Sequence, residues 1–160
     1  MTLLSVRPAG GGGDMAVARK LFEEYAAWVS IDLSFQDFAG ELKRLPGDYA
    51  PPGGALFLAW SEAMPAGCIA VRRIDDGDCE MKRLYVRDAF RGLSAGERLA
   101  REAIEWARAA GYRRMLLDTL PAMRSAHRLY ERLGFAEIPA YRFNPVEGAR
   151  YMALDLTGDR

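Results

Sequence analysis

Arg91-Gly92-Leu93-Ser94-Ala95-Gly96 places a cation and two glycines where a strand-like stretch gives way to a helix-like one. A helix starting there exposes amides without intrahelical acceptors at its positive dipole end, so the turn can grip an anion such as a phosphate. Glycine lets the backbone approach without an intervening side chain, and Arg87 and Arg91 add positive charge. The same residues have a second reading. Ser94 followed by Glu97 fits a capping box with Ala95 as the first helical residue, which needs no ligand. Other reactive groups are few. Cys68 and Cys79 are too few for a disulfide framework or a complete cysteine zinc site. His127, the sole histidine, is expected on a helix surface. The glycine-rich stretch "AGGGG" at 9–13 lacks the following Lys-Ser or Lys-Thr of a phosphate loop and reads as a strand-to-helix connection.

Periodicity supplies the elements around these residues. Thr2 to Pro8 reads as a strand. Asp14 can cap a helix whose stripe is Met15, Ala18, Phe22, Tyr25 and Val29. Ser34 caps a short second helix ending near Leu45, and Pro46, Pro51 and Pro52 interrupt regular structure after it. Strands follow at 54–62 and 66–75, with Met64-Pro65 in their connection. Asp76-Gly77 then signals a hairpin into the strand ending at Val86. With that turn, Asp75 faces Asp78, Cys79 faces Ile74, and Cys68 faces Tyr85. The two cysteines would then share a sheet face, too far apart to join.

From Ala95 to Ala110 the stripe is Leu99, Ala103, Trp106, Ala107 and Ala110. Glu97–Arg101, Arg98–Glu102 and Arg101–Glu105 stand four apart as opposite charges. Gly111 ends this helix, and 112–120 reads as a strand. Pro121 opens a further helix to Leu133, Gly134 stops it, and a short strand begins at Phe135. The last strand, 151–156, buries Met152, Leu154 and Leu156.

The 160 residues suffice for one domain, residues 1–160, built as an α/β fold around a single mixed sheet. Lys plus Arg and Asp plus Glu number 22 each, so no strong non-specific attraction to nucleic acid or anionic lipid is expected. No apolar run approaches the ~20 residues of a membrane helix, and no secretory leader is evident. The expected location is the cytoplasm.

Taken together, the loop, the helix "MRSAHRLYERLGF" (123–135) and the strand "CEMKRLYV" (79–86) resemble the GNAT family of N-acetyltransferases. Arg91-Gly92-Leu93-Ser94-Ala95-Gly96 matches the family's Gln/Arg-x-x-Gly-x-Gly/Ala loop, with Ser94 in place of the middle glycine. Met123, Ala126, Leu129, Tyr130, Gly134 and Phe135 match its later helix, with Met123 where asparagine is usual. The resemblance implies an acyl-CoA N-acyltransferase fold, a mostly antiparallel sheet flanked by helices. It implies acetyl-CoA as acyl donor and no metal. The acceptor would be a small-molecule, peptide or protein amine. Edge-strand pairing leaves a homodimer open.

Acyl transfer needs a neutral amine, stabilisation of the thioester oxygen, and a proton for the departing sulfur. The resemblance assigns Tyr130 as the proton donor and Glu80 as general base, with solvent an alternative. Lys82, on the same strand face, would weaken that base. Leu84, Tyr85 and Val86 would offer backbone to the pantetheine arm, and residues 91–96 would hold the diphosphate. The acceptor region is expected at 30–40 and 141–148, with Phe35, Tyr141 and Phe143 as walls and Asp37 or Glu147 as anionic attractors. A non-catalytic acyl-CoA-binding module is the alternative reading. A nucleotide site lacks its Gly-x-Gly-x-x-Gly motif.

Overall fold

The hairpin at Asp76-Gly77 closes through the Asp75 carboxylate, whose Oδ1 accepts from the amides of Gly77 (2.9 Å) and Asp78 (2.8 Å). It joins two strands at the centre of a seven-stranded sheet. The computed structural model describes residues 4–29 and 33–158. In chain order it contains strand β1 (Leu4–Pro8), helix α1 (Gly13–Val29), helix α2 (Phe38–Arg44) and strands β2 (Ala55–Ser61), β3 (Met64–Arg73) and β4 (Asp78–Val86). Helix α3 (Ala95–Ala109), strand β5 (Arg114–Thr119), helix α4 (Arg124–Arg132) and strands β6 (Ala136–Ile138) and β7 (Arg150–Asp155) follow. The strands lie in the order β1-β2-β3-β4-β5-β7-β6. Neighbours are antiparallel except β4 and β5. The expected α/β class and element order hold.

Each face of the sheet buries its own cluster. Ile69, Val71, Met81, Met115 and Leu117 pack beneath Leu99, Ala100, Ala103, Ile104 and Ala107 of α3. On the opposite face Leu56, Leu58, Cys68 and Ala70 receive Ala18, Leu21 and Phe22 of α1. Helices on both faces of one sheet are the standard way to hide two apolar surfaces.

Two irregularities of β4 shape everything near the site. Close to the hairpin, Arg73 faces Cys79 and Ala70 faces Lys82; farther along, Cys68 faces Tyr85, so β4 carries one extra residue. Arg83 absorbs it with a φ of 63°. A bulge of this kind leaves two successive residues on one face. Cys79, Met81, Leu84 and Val86 consequently look toward α3, while Lys82, Arg83 and Tyr85 face α1 and α2. Arg83 is fixed there by a two-bond pair with Glu41, 2.9 Å each. The second irregularity is that β4 and β5 pair only from Asp78↔Arg114 to Glu80↔Leu116. Beyond Glu80 the strands part.

The bulge corrects the expected cysteine geometry. Cys79 faces Arg73, not Ile74, and the two buried free thiols lie in opposite core clusters. Other expectations shift too. The β2–β3 turn is Glu62-Ala63, and Met64 and Pro65 lie within β3. The predicted start of the first strand at Thr2 lies outside the described residues. Asp14 sits inside α1 and accepts from the Gly10 amide at 2.8 Å, tying back the glycine run. A single 3-10 turn occupies Ser34–Gln36, and left-handed Asp37 separates it from α2. Helix α4 starts at Arg124 because Leu120–Met123 form a turn closed by Met123 N–H to Leu120 O at 3.0 Å. Ala110 is exposed and leaves the α3 stripe. Of the expected helical ion pairs, Glu97–Arg101 forms at 3.1 Å. Arg98 instead reaches the Leu4 carbonyl, and Glu105 pairs with Arg108.

Candidate active site

The parting of β4 from β5 opens two cavities that meet at Leu84. The larger, about 450 Å³, lies between β4 and α4. Trp28, Leu84, Val86, Phe90, Ala126 and Leu129 wall it, and Arg91 to Gly96, without Leu93, form its rim. The smaller, about 30 Å³, passes through the gap and is lined by Tyr25, Gln36, Lys82, Asp118, Met123 and Tyr130, among others.

At the rim, Gly92 and Ser94 both take left-handed backbone, φ 84° and 62°. Ser94 is the residue before α3, as the capping-box reading expects, but its side chain makes no capping bond. Glu97, the other half of the expected box, pairs with Arg101 and Arg132 at 3.1 Å each. A left-handed conformation costs a serine about 1 kcal/mol. With no side-chain cap, the amides of residues 92–97 find no backbone acceptor with hydrogen-bond geometry among the described residues. The first helical bond is Arg98 N–H to Ser94 O, 3.0 Å. These donors, at the positive end of a 15-residue helix, suit a multiply charged anion. Gly96 forms the wall between Val86 and Leu129, whose methyls stand 3.8 and 3.9 Å from where a Cβ would be.

Arg91 pins this loop. Its Nε donates to Val86 O at 3.0 Å, its guanidinium pairs with Asp88, and it lies over the Trp28 ring at 4.9 Å. Arg87, expected to lend mobile charge, is held by Glu24 at 2.7 and 2.9 Å. Leu84 and Val86 present side chains to the cleft. Tyr85 points to the other face, its hydroxyl 3.3 Å from Glu24 and its ring against Trp28. Leu93 is exposed, so only its backbone can serve the rim.

Tyr130 is buried against Phe135, and its hydroxyl hydrogen-bonds to no described residue. Burial, with Tyr25 and Asp118 nearby, pushes its pKa above the ordinary phenol value, so it stays protonated. Glu80 is placed differently from a solvent-facing base. It is fully buried, and its carboxylate accepts from Tyr141 Oη at 2.6 Å, Arg72 Nε at 2.8 Å and Arg142 at 3.0 Å. Burial alone would raise its pKa; the Lys82 ammonium, Tyr141, Arg142 and Arg72 outweigh it and hold the carboxyl below its usual range. That favours an anionic anchor for the β6–β7 loop over a proton acceptor.

The same loop brings Asn144 to Asp118 at 3.0 Å. Of the expected acceptor walls, neither Tyr141 nor Phe143 lines either cavity: the Tyr141 hydroxyl is taken by Glu80, and Phe143 is 76% exposed. Glu147 is exposed, and Asp37 is exposed and paired with Arg44. Residues 30–32, and the Phe35 side chain, lie outside what is described. His127 is buried rather than on the surface, 3.1 Å from Thr119 Oγ1 and 3.3 Å from Arg150, and burial beside Arg150 lowers its pKa. Burial raises both thiols, and neither lines either cavity, so neither is suited to carry an acyl group. Sequence reasoning missed Asp118, and Ser125 and Arg132 in the cleft. The 125-129-132 spacing on α4 was the available signal.

A model of the acetyltransferase (GNAT) family matches residues 17–135. The chain belongs to that family. An uncharacterized N-acetyltransferase of Schizosaccharomyces pombe is 39% identical to this GNAT protein over 146 residues, 90% of each chain. The N-acetylaspartate synthetase of Danio rerio is 34% identical over 112 residues, 68% of this chain and 40% of that one. A Salmonella typhimurium protein assigned as an acetyltransferase, solved with its cofactor acetyl-CoA, superimposes with a TM-score of 0.68 at 19% identity, covering 96% and 94% of the two chains. This GNAT protein is thus an N-acetyltransferase with the acyl-CoA N-acyltransferase architecture. No helix among the described residues is long and apolar enough to cross a membrane, and no group of three or more metal-ligating side chains occurs among them.

Proposed function

We propose that the protein transfers an acetyl group from acetyl-CoA directly to the amine of a small acceptor, with Tyr130 as general acid. The observation that carries this reading is the junction at Leu84. There, an apolar cleft with an anion-gripping rim meets a polar cavity holding an uncommitted hydroxyl.

The cleft's chemistry fits coenzyme A. The amides of 92–97 would hold its diphosphate, with Arg91 pinning the loop. Leu84, Val86, Phe90, Ala126 and Leu129 would line the pantetheine arm. Beyond Glu80 the β5 side of β4 carries no strand, so its backbone can pair with an extended ligand as an added strand would. When bound, acetyl-CoA supplies the acetyl carbon. The chain's part is positional. A β4 amide near Val86 polarises the thioester oxygen. Tyr130 donates its hydroxyl proton to the departing sulfur. Glu80 holds the Tyr141–Arg142 loop against the acceptor cavity, and the amine loses its proton toward solvent. The clefts lie on different sides of β4, so both substrates can be bound at once, without a covalent enzyme intermediate.

The test is free-thiol release with acetyl-CoA and a panel of amines, beside calorimetry. The proposal expects saturable acetyl-CoA binding and amine-dependent release. Binding without release across amine classes would replace it with the acyl-CoA-binding module. Absence of binding would remove both readings.

A further inference from the structure

The polar cavity contains two opposite charges that do not neutralise each other. Four cations crowd the α1/α2 face of β4: Arg72, Lys82, Arg83 and Arg142. Three have carboxylate partners: Arg72 and Arg142 share Glu80, and Arg83 takes Glu41. Lys82 is 7% exposed, yet its ammonium donates to a neutral group, Gln36 Oε1, at 2.9 Å. Across the cavity Asp118 accepts from another neutral group, the Asn144 amide, and among the described residues only one of its oxygens is so engaged. Both side chains line the same space, and no ion pair joins them. Glu80 lies near enough to feel this charge, but its oxygens are taken by Arg72, Tyr141 and Arg142, so among the described residues no carboxylate bonds the Lys82 ammonium, and an under-compensated buried ammonium is costly. Burial and the neighbouring Arg83, against the pull of Glu80, drive the Lys82 pKa down to about 8.

We infer that the acceptor is a small amino acid, its carboxylate bound by Lys82 and its amino group by Asp118. This rests on the acetyltransferase reading and names the substrate class of that site. A zwitterion supplies the missing partner to each charge. It also orients the amine, because Asp118 and Tyr130 line the cavity that joins the donor cleft at Leu84. The recess is small, about 30 Å³, which suits a compact acceptor. The group balance is simple. The acetyl carbon–sulfur bond breaks and a carbon–nitrogen bond forms. The ammonium loses one proton past Asp118 to water before it attacks and a second as the amide forms, while Tyr130 gives its proton to sulfur and recovers one from solvent, so the net products are the amide, the free thiol and one proton.

The experiment measures thiol release with each L-amino acid beside its α-carboxamide and its decarboxylated amine. Wild type is expected to prefer one or more amino acids over their carboxyl-less counterparts by roughly 10- to 100-fold in kcat/KM. Lys82→Met should erase that preference, mainly through acceptor KM. Asp118→Asn should reduce turnover of every amine. Both should keep acetyl-CoA affinity, which reports a folded donor cleft. Equal or better acetylation of the carboxyl-less amines, or of peptide N-termini, overturns this inference and leaves the acetyltransferase standing. Retained preference in Lys82→Met also overturns it. Loss of thiol release with every amine despite acetyl-CoA binding overturns the acetyltransferase reading itself.

Discussion

Replacing Glu80 with glutamine separates an anchoring carboxylate from a catalytic base. The substitution keeps the side-chain shape and removes the charge. In the native protein that charge receives two guanidiniums and the Tyr141 hydroxyl, all within 3.0 Å. Glutamine offers one carbonyl, and its amide turns donors toward donors. Removing one partner of a buried ion pair costs about 3–5 kcal/mol. The Arg72 and Arg142 side chains keep 27% and 23% of their exposure, so water compensates in part. The expected loss is about 2–4 kcal/mol. At about 2–4 °C per kcal/mol for a chain of this size, the melting temperature should fall by roughly 5–15 °C. Calorimetric melting across pH adds a sign test. The folded carboxyl titrates below its ordinary range. Its stabilisation is therefore present above that range and lost as pH falls through the folded value. The gap between wild type and Glu80→Gln should narrow in acid. A variant that melts with wild type yet turns over about 100-fold slower would refute the anchoring role and restore Glu80 as a base.

Tyr130→Phe should lower turnover by roughly 100-fold or more while acetyl-CoA affinity and melting temperature stay near wild type, since the hydroxyl bonds to no described residue; unchanged thiol release would remove Tyr130 from the chemistry. Ser94→Ala should cost less than about 0.5 kcal/mol in chemical denaturation, because no side-chain cap is lost; a drop of about 1 kcal/mol would mean a working capping box. If Lys82 binds the acceptor's carboxylate, acceptor KM should rise as pH climbs through about 8, where the ammonium loses its proton, and a flat KM from pH 6.5 to 9.5 would contradict it.

The element order was legible because most elements have one strong local cause. Gly111 and Gly134, at φ 94° and 102°, stop helices wherever they lie. Met152, Leu154 and Leu156 alternate as a half-buried strand must. The failures share a different cause, partners distant in sequence. Ser94-x-x-Glu97 is a sound capping pattern, but Arg132 claims the glutamate from 35 residues away. Glu80 looked like an open strand carboxylate until a loop 61 residues onward closed over it. Nothing local marks Arg83 for left-handed backbone; its anchor, Glu41, lies 42 residues upstream on α2. The rim was foreseen because it depends on a contiguous loop. The acceptor cavity, assembled from α1, the 3-10 turn, β4, β5 and the start and body of α4, was foreseen only in part, at Gln36 within the expected 30–40 stretch and at Tyr130, and not in the 141–148 loop.

The extra residue at Arg83 fixes the reading frame of β4. Side chains alternate between the two compartments on both sides of it, but the alternation is shifted by one residue, so the strand works as two half-strands set out of phase. Deleting a single residue there would send Leu84 and Val86 into the charged layer and Tyr85 into the cleft, exchanging donor wall for acceptor wall. Length changes in this strand are therefore tolerable only in pairs.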